Sequence, residues 1–122
     1  MQTRIVREKL KPEAVREIVI SEFGDMAKVD VDIVRQILVI GGEWHSEGQD
    51  LLVKDGSSGE DVWGCNYYPF RGTDKRIEYN SLINLKPSLG ARDMEIQESR
   101  IRQNMREVIE SLLLTPYETI QR

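Results

Sequence analysis

The chain has one cysteine, one histidine and four prolines among 122 residues, and aromatic residues make up only 7%. With Cys65 alone, no internal disulfide can form, and a reducing compartment is expected. With His45 alone, no His/Cys set of zinc spacing can be assembled. Long apolar runs are missing as well. The longest uninterrupted aliphatic stretch, Ile37–Ile40, is far too short to span a bilayer. Excess positive charge is also absent. The net charge is −4 and the pI about 5.1, the opposite of the balance expected for a protein that neutralises many phosphates, so nucleic acid is a disfavoured partner. The first residues, Met1–Lys9, carry charges where a signal peptide needs an apolar stretch, and a cytoplasmic location is the expectation. There is no P-loop, no dinucleotide fingerprint and no serine-centred elbow.

What is present is the composition of a folded domain: 39% apolar and 31% charged residues. At this length a single domain over residues 1–122 is expected, with 115–122 as a loose tail. Thr3–Val6 reads as a short edge strand. Lys11-Pro12-Glu13 opens a helix, because proline at the first helical position loses no useful N–H and Glu13 meets the positive end of the dipole. Val15, Ile18, Val19 and Phe23 form its apolar stripe, and Gly24 stops it. Met26–Asp32 alternates, with Ala27, Val29 and Val31 on one side and Lys28, Asp30 and Asp32 on the other, the period of a half-buried strand. Gln36–Ile40 is apolar on both faces and reads as a central strand. Gly41-Gly42 then marks a bulge or a close backbone approach. Ser46 caps a short helix near 47–54.

Val62–Tyr68 and Arg76–Lys86 flank a polar loop and read as two antiparallel strands. They mix large apolar residues with Asn66, Asn80, Ser81 and Asn84, more amides than a plain core hairpin needs. Arg71, Lys75 and Arg76 in the loop read as solvated charge, with a phosphate site as the alternative. Ile101, Met105, Val108, Ile109, Leu112 and Leu113 make the strongest helical stripe in the chain, over about 99–114. The fold class is therefore α+β: an antiparallel sheet of four to five strands, with two long helices (about 12–23 and 99–114) on one face and the short helix near 47–54.

Several motifs together resemble an uncharacterised family of small bacterial and archaeal proteins, a domain of unknown function. They are Gly41-Gly42-Glu43 with His45, Leu51-Leu52, Asp55-Gly56-Ser57, Glu60-Asp61-Val62-Trp63-Gly64, Tyr68-Pro69, Ser81-Leu82-Ile83-Asn84 with Pro87, and Met94-Glu95-Ile96-Gln97. Glu47 matches the acidic residue that the family carries two after the histidine, while Glu98-Ser99 departs from its usual Asp-Pro before the last helix. The resemblance implies a single soluble domain and no particular activity.

Three constellations carry possible chemistry. In Glu43-x-His45, residues i and i+2 on a strand share a face. A carboxylate and an imidazole there can act as base and orienting partner, or, with Glu47, hold a divalent metal. The alternative is a locally bonded histidine among surface carboxylates. In Glu60–Gly64, Trp63 beside a glycine offers a stacking platform, or simply anchors the core. In Val62–Tyr68 both faces carry large residues, so either a second copy of the chain or the segment Pro87–Gln97 must cover the face the helices leave open. Cys65 reads as a small buried hydrophobe rather than a nucleophile. The sequence thus predicts a homodimeric module with a polar–aromatic ligand pocket lined by Glu43, Trp44, His45, Trp63, Asn66 and Asn84, with a divalent metal as an optional component and no other cofactor. The competing reading is a regulatory or structural domain that uses the aromatic hairpin as a protein interface.

Overall fold

The computed structural model describes residues 1–122, which form five strands and three α-helices. The strands are β1 (Arg4–Val6), β2 (Ala27–Asp32), β3 (Ile37–Ile40), β4 (Val62–Tyr67) and β5 (Ile77–Glu78). The helices are α1 (Pro12–Ser21), α2 (His45–Lys54) and α3 (Ser99–Leu112). All strands pair antiparallel in the order β1-β3-β2-β4-β5. None of the helices is long and apolar enough to cross a membrane.

The expected α+β class and the placement of the two long helices hold. Val29 and Val31 of β2, Leu38 and Ile40 of β3, and Trp63, Cys65 and Tyr67 of β4 share one face of the sheet. Val15, Ile18 and Val19 of α1 and Met105, Val108 and Ile109 of α3 pack on it in one continuous core. Strand pairing sets Val31 opposite Trp63 and Val29 opposite Cys65, so the alternation in both strands points the same way.

The second face is closed by the chain itself. Ile37, Val39 and Val62 pack against Leu52 of α2, joined by Ile5, Leu51 and Ile83. The short helix, which the sequence reading left out of this role, thus covers the β3 side of the second face. Pro87–Gln97, the expected cover within the chain, lies at the β4 edge, where Ile96 enters the main core.

Several boundaries move. The second arm of the expected hairpin keeps only Ile77–Glu78 as strand. Beyond it, Ser81 caps a 3-10 turn over Leu82–Asn84 by accepting the Ile83 N–H at 3.2 Å. A serine that bonds its own backbone competes with the ladder, and here it wins. Asn84 then replaces the missing strand. Its side chain accepts the Gly64 N–H at 2.8 Å and donates to the Gly64 carbonyl at 2.9 Å, completing the free edge of β4.

The short helix begins at His45, two residues earlier than expected, with Trp44 rather than Ser46 at the cap position. The Glu47 carboxylate accepts the Trp44 N–H at 3.0 Å and ties off the first turn. Strand β3 ends at Ile40, and Gly41 and Gly42 adopt φ of 101° and 100°, values a side chain resists. The long helices stop at Ser21 and Leu112, slightly short of the expected 23 and 114, and Phe23 stays largely exposed.

Residues 115–122, expected as a loose tail, are docked. Buried Arg76, expected as a solvated loop charge, donates to the carbonyls of Thr115 and Glu118 at 3.2 and 2.6 Å. Arg16 donates to the carbonyls of Gln121 and Arg122. Arg71 also has a place: it stacks 3.6 Å from the Tyr68 ring centroid and pairs with Glu78.

Candidate functional site

The polar face of the sheet is built by the same two strands whose other face makes the core. Lys28 and Asp30 of β2 lie opposite Asn66 and Gly64 of β4. Asp30 is 2% exposed, and the β3 residue beside it is Val39. A carboxylate in this position needs a partner. His45 supplies it from the first turn of α2: Nδ1 lies 2.7 Å from Asp30 Oδ1, with both side chains buried.

Two glycines make this contact possible. A Cβ on Gly48 would run into Asp30 Oδ2, so the glycine lets α2 come down onto the carboxylate. A Cβ on Gly64 would lie 3.0 Å from His45 Nδ1 and 2.7 Å from Ser81 Oγ, so the imidazole and the serine fill the space a side chain would take. Burial pushes the Asp30 carboxyl from 3.8 up to about 6. The hydrogen bond and charge of His45, then Lys28, then the Gln49 N–H pull it back in part.

The other ring nitrogen, Nε2, lies 3.2 Å from Asn66 Oδ1. Each ring nitrogen thus faces an oxygen, Asp30 Oδ1 at Nδ1 and Asn66 Oδ1 at Nε2. A half-turn of the Asn66 amide would present N–H to Nε2 instead. Asn66 can therefore meet Nε2 as an acceptor or as a donor.

His45 and Asn66 open onto a cleft of about 340 Å³ whose walls also include Lys28, Trp44, Ser46, Asn80, Ser81, Leu82, Ile83 and Met94. Of the residues predicted for a pocket, the structure brings Trp44, His45 and Asn66 to this cleft, and Trp63 and Asn84 to a separate one of about 420 Å³ beside residues 89–98. Glu43 is exposed in the bend before α2 and lines no part of the cleft, because the chain has left the strand at Ile40 and i, i+2 geometry no longer applies. Asp30, not Glu43, orients the imidazole. Glu47 is committed to the helix cap. No three His, Cys, Asp or Glu side chains gather as a metal-binding group, so Glu43, His45 and Glu47 do not form the set the spacing suggested.

Trp63 is 3% exposed on the opposite face of the sheet, in the core, with Lys86 Nζ 4.9 Å from its ring centroid. It cannot wall the His45 cleft. Tyr67 is 1% exposed as well, whereas Tyr68, Phe70 and Tyr79 of the hairpin are half-buried. Asn84 is structural, as its bonds to Gly64 show. Burial pushes the Cys65 thiol well up and holds it un-ionised, in keeping with a packing role.

The family model described as "Protein of unknown function (DUF5674)" matches residues 4–112. The chain belongs to this family. No curated protein and no solved structure matches it. The DUF5674 match spans the whole cleft, from Lys28 to Met94, and ends at Leu112, before the docked C-terminal residues.

Asp30 was the residue that sequence reasoning missed, because alternation placed it on a solvent side. A signal was present. Ile37–Ile40 is apolar on both faces, and β2 is tied to it by a tight turn, so the second face of β2 had to be covered too. A carboxylate on a covered face calls for a cation or an imidazole, and the chain has only one of the latter.

Proposed function

We propose that this protein is a small-molecule-binding module. Its ligand occupies the cleft between the start of α2, strands β2 and β4, and the turn at Ser81–Ile83, and exchanges a hydrogen bond or a proton with His45 Nε2. The observation that carries this reading is the buried 2.7 Å bond between Asp30 and His45, with the opposite edge of the same ring directed at Asn66 and the cleft. A histidine needed only for packing has no use for a carboxylate that burial makes costly, or for two glycines that make room for the pair. The cleft falls in the usual size range for small-molecule sites, about 300–1,000 Å³. Asp30 acts here as a positioning residue, and His45 is the group that meets the ligand.

The test is a thermal-shift and native mass screen against pooled carboxylates, amides, alcohols and nucleosides. Wild type is run beside His45→Gln and Asp30→Asn. At least one pool should raise the melting temperature of wild type and be retained as added mass, with both effects lost in His45→Gln. A compound that binds wild type and His45→Gln equally would place its site elsewhere. A screen in which no pool acts on wild type would remove the reading.

A further inference from the structure

Charge is divided between the wall of the cleft and the layer behind it, where the Asp30 carboxyl interacts with His45 and Lys28. Lys28 is the only lysine or arginine among its lining residues, and no aspartate or glutamate lines it, although the chain carries 21 acidic against 17 basic residues. Asp30 contributes to the site from below, covered by His45 and Gly48, and is not part of the wall. Lys28 makes no ion pair anywhere in the chain. Its ammonium lies 5.5 Å from the Phe23 ring centroid, and the strand register sets it beside Asn66, the residue that meets His45 Nε2.

His45 and Ser46 open α2 and both line the cleft; their backbone N–H groups have no acceptor in the chain, while the Glu47 carboxylate of the same turn accepts the Trp44 N–H. The rim is different in kind. Trp44, Leu82 and Met94 are 63%, 70% and 49% exposed and surround this polar floor with apolar surface.

Taking the cleft as the ligand site, we infer that it binds a small molecule bearing one acid group, carboxylate or phosphate, on an apolar, ring-sized body. Lys28, the Nε2–H of His45 and the first N–H groups of α2 hold the acid. Trp44, Leu82 and Met94 flank the ring. A cationic ligand would meet Lys28 with no carboxylate in the cleft wall to pair with, since Asp30 is covered by His45 and Gly48 and Glu47 is committed to the helix cap. A purely apolar ligand would strip water from Lys28, Asn66 and Ser81 without replacing its hydrogen bonds.

Four one-ring probes test this: benzoate, phenyl phosphate, benzamide and benzylammonium. The imidazole of His45 and the indole N–H of Trp44 report by NMR, and the indole of Trp63, on the far face of the sheet, is the internal control. The acids should move His45 and Trp44 but not Trp63. Benzamide should bind at least tenfold more weakly, and benzylammonium should not bind. Lys28→Gln should weaken the acids at least tenfold and leave benzamide unchanged. Benzoate binding more tightly than phenyl phosphate identifies a carboxylate ligand, and the reverse order a phosphate. Neutral or cationic probes that bind as well as the acids, or acids indifferent to Lys28→Gln, would overturn the charge assignment and leave the ligand site standing. If no probe, charged or neutral, moves His45 or Trp44, both the assignment and the ligand site fall.

Discussion

The two faces of β2 and β4 are made by alternate residues of the same strands, yet they do opposite work. On one face, Val29, Val31, Trp63, Cys65 and Tyr67 meet two helices and seal completely. On the other, Lys28, Asp30, Gly64 and Asn66 meet the first turn of α2 and leave a cleft. The apolar face depends on volume, since close-packed side chains lose free energy with each methylene removed. The polar face depends on placement. It carries a buried carboxylate that destabilises the fold unless an imidazole is set against it, and it keeps the other edge of that imidazole at the cleft. The contrast locates stability on one face and the candidate chemistry on the other, only one strand thickness apart.

The largest break in this contrast should come from Leu38→Ala on the sealed face. Leu38 is fully buried, and its truncation should cost about 2–5 kcal/mol in urea unfolding. The His45 imidazole resonances of the protein that remains folded should stay where they are. If they move substantially, the two faces are coupled and the division of labour is wrong.

Asp30→Asn probes the polar face through pH. Folded Asp30 keeps its proton up to about 6, whereas the unfolded chain releases it near 3.8. Below 3.8 both states are protonated and the group contributes nothing. Between those values only the unfolded state has ionised, so stability falls as pH rises, and above about 6 the loss is complete. Wild type should therefore lose on the order of 2–3 kcal/mol relative to Asp30→Asn between pH 4 and pH 7. Parallel stability curves for the two proteins would show that Asp30 ionises freely in the fold.

Gly64→Ala should cost about 1–3 kcal/mol, because its methyl crowds Ser81 and the imidazole together. It should also shift the His45 resonances and abolish ligand binding. Gly59→Ala is the matched control. Its methyl meets only Gln49 at 3.7 Å, and the change should stay within about 0.5 kcal/mol. Equal effects from the two substitutions would mean that Gly64 is not needed for the approach of His45.

The smallest effect belongs to neither face. Arg71 and Glu78 are both about half exposed, and a double-mutant cycle on this pair should give less than about 1 kcal/mol, falling further in high salt. A larger coupling would mark the outer edge of β4–β5 as part of the stabilised core.

Legibility followed the range of the physical cause. The alternation in Met26–Asp32 and the stripe from Ile101 to Leu113 were readable because local periodicity determines which side chains share a face. The second arm of the hairpin was misread because Ser81 and Asn84 look like strand residues until their own backbone and side-chain bonds are counted. Trp44, His45 and Asn66 were found from residue type alone. Glu43 was taken as the partner of His45 because residues i and i+2 share a face on a strand, but the strand has already ended at Ile40.

By itself, the sequence determined the α+β class, the apolar face and its two helices, and that one cysteine and one histidine allow neither an internal disulfide nor a His/Cys set of zinc spacing. These follow from periodicity and from counting, and both are properties of the chain alone. Only the tertiary structure decided that α2 begins at His45, that Gly48 and Gly64 let it press onto the sheet, and that Asp30 lies beneath it. Those facts rest on a contact across fifteen residues of chain between a strand and a helix start, a distance over which no local pattern carries information.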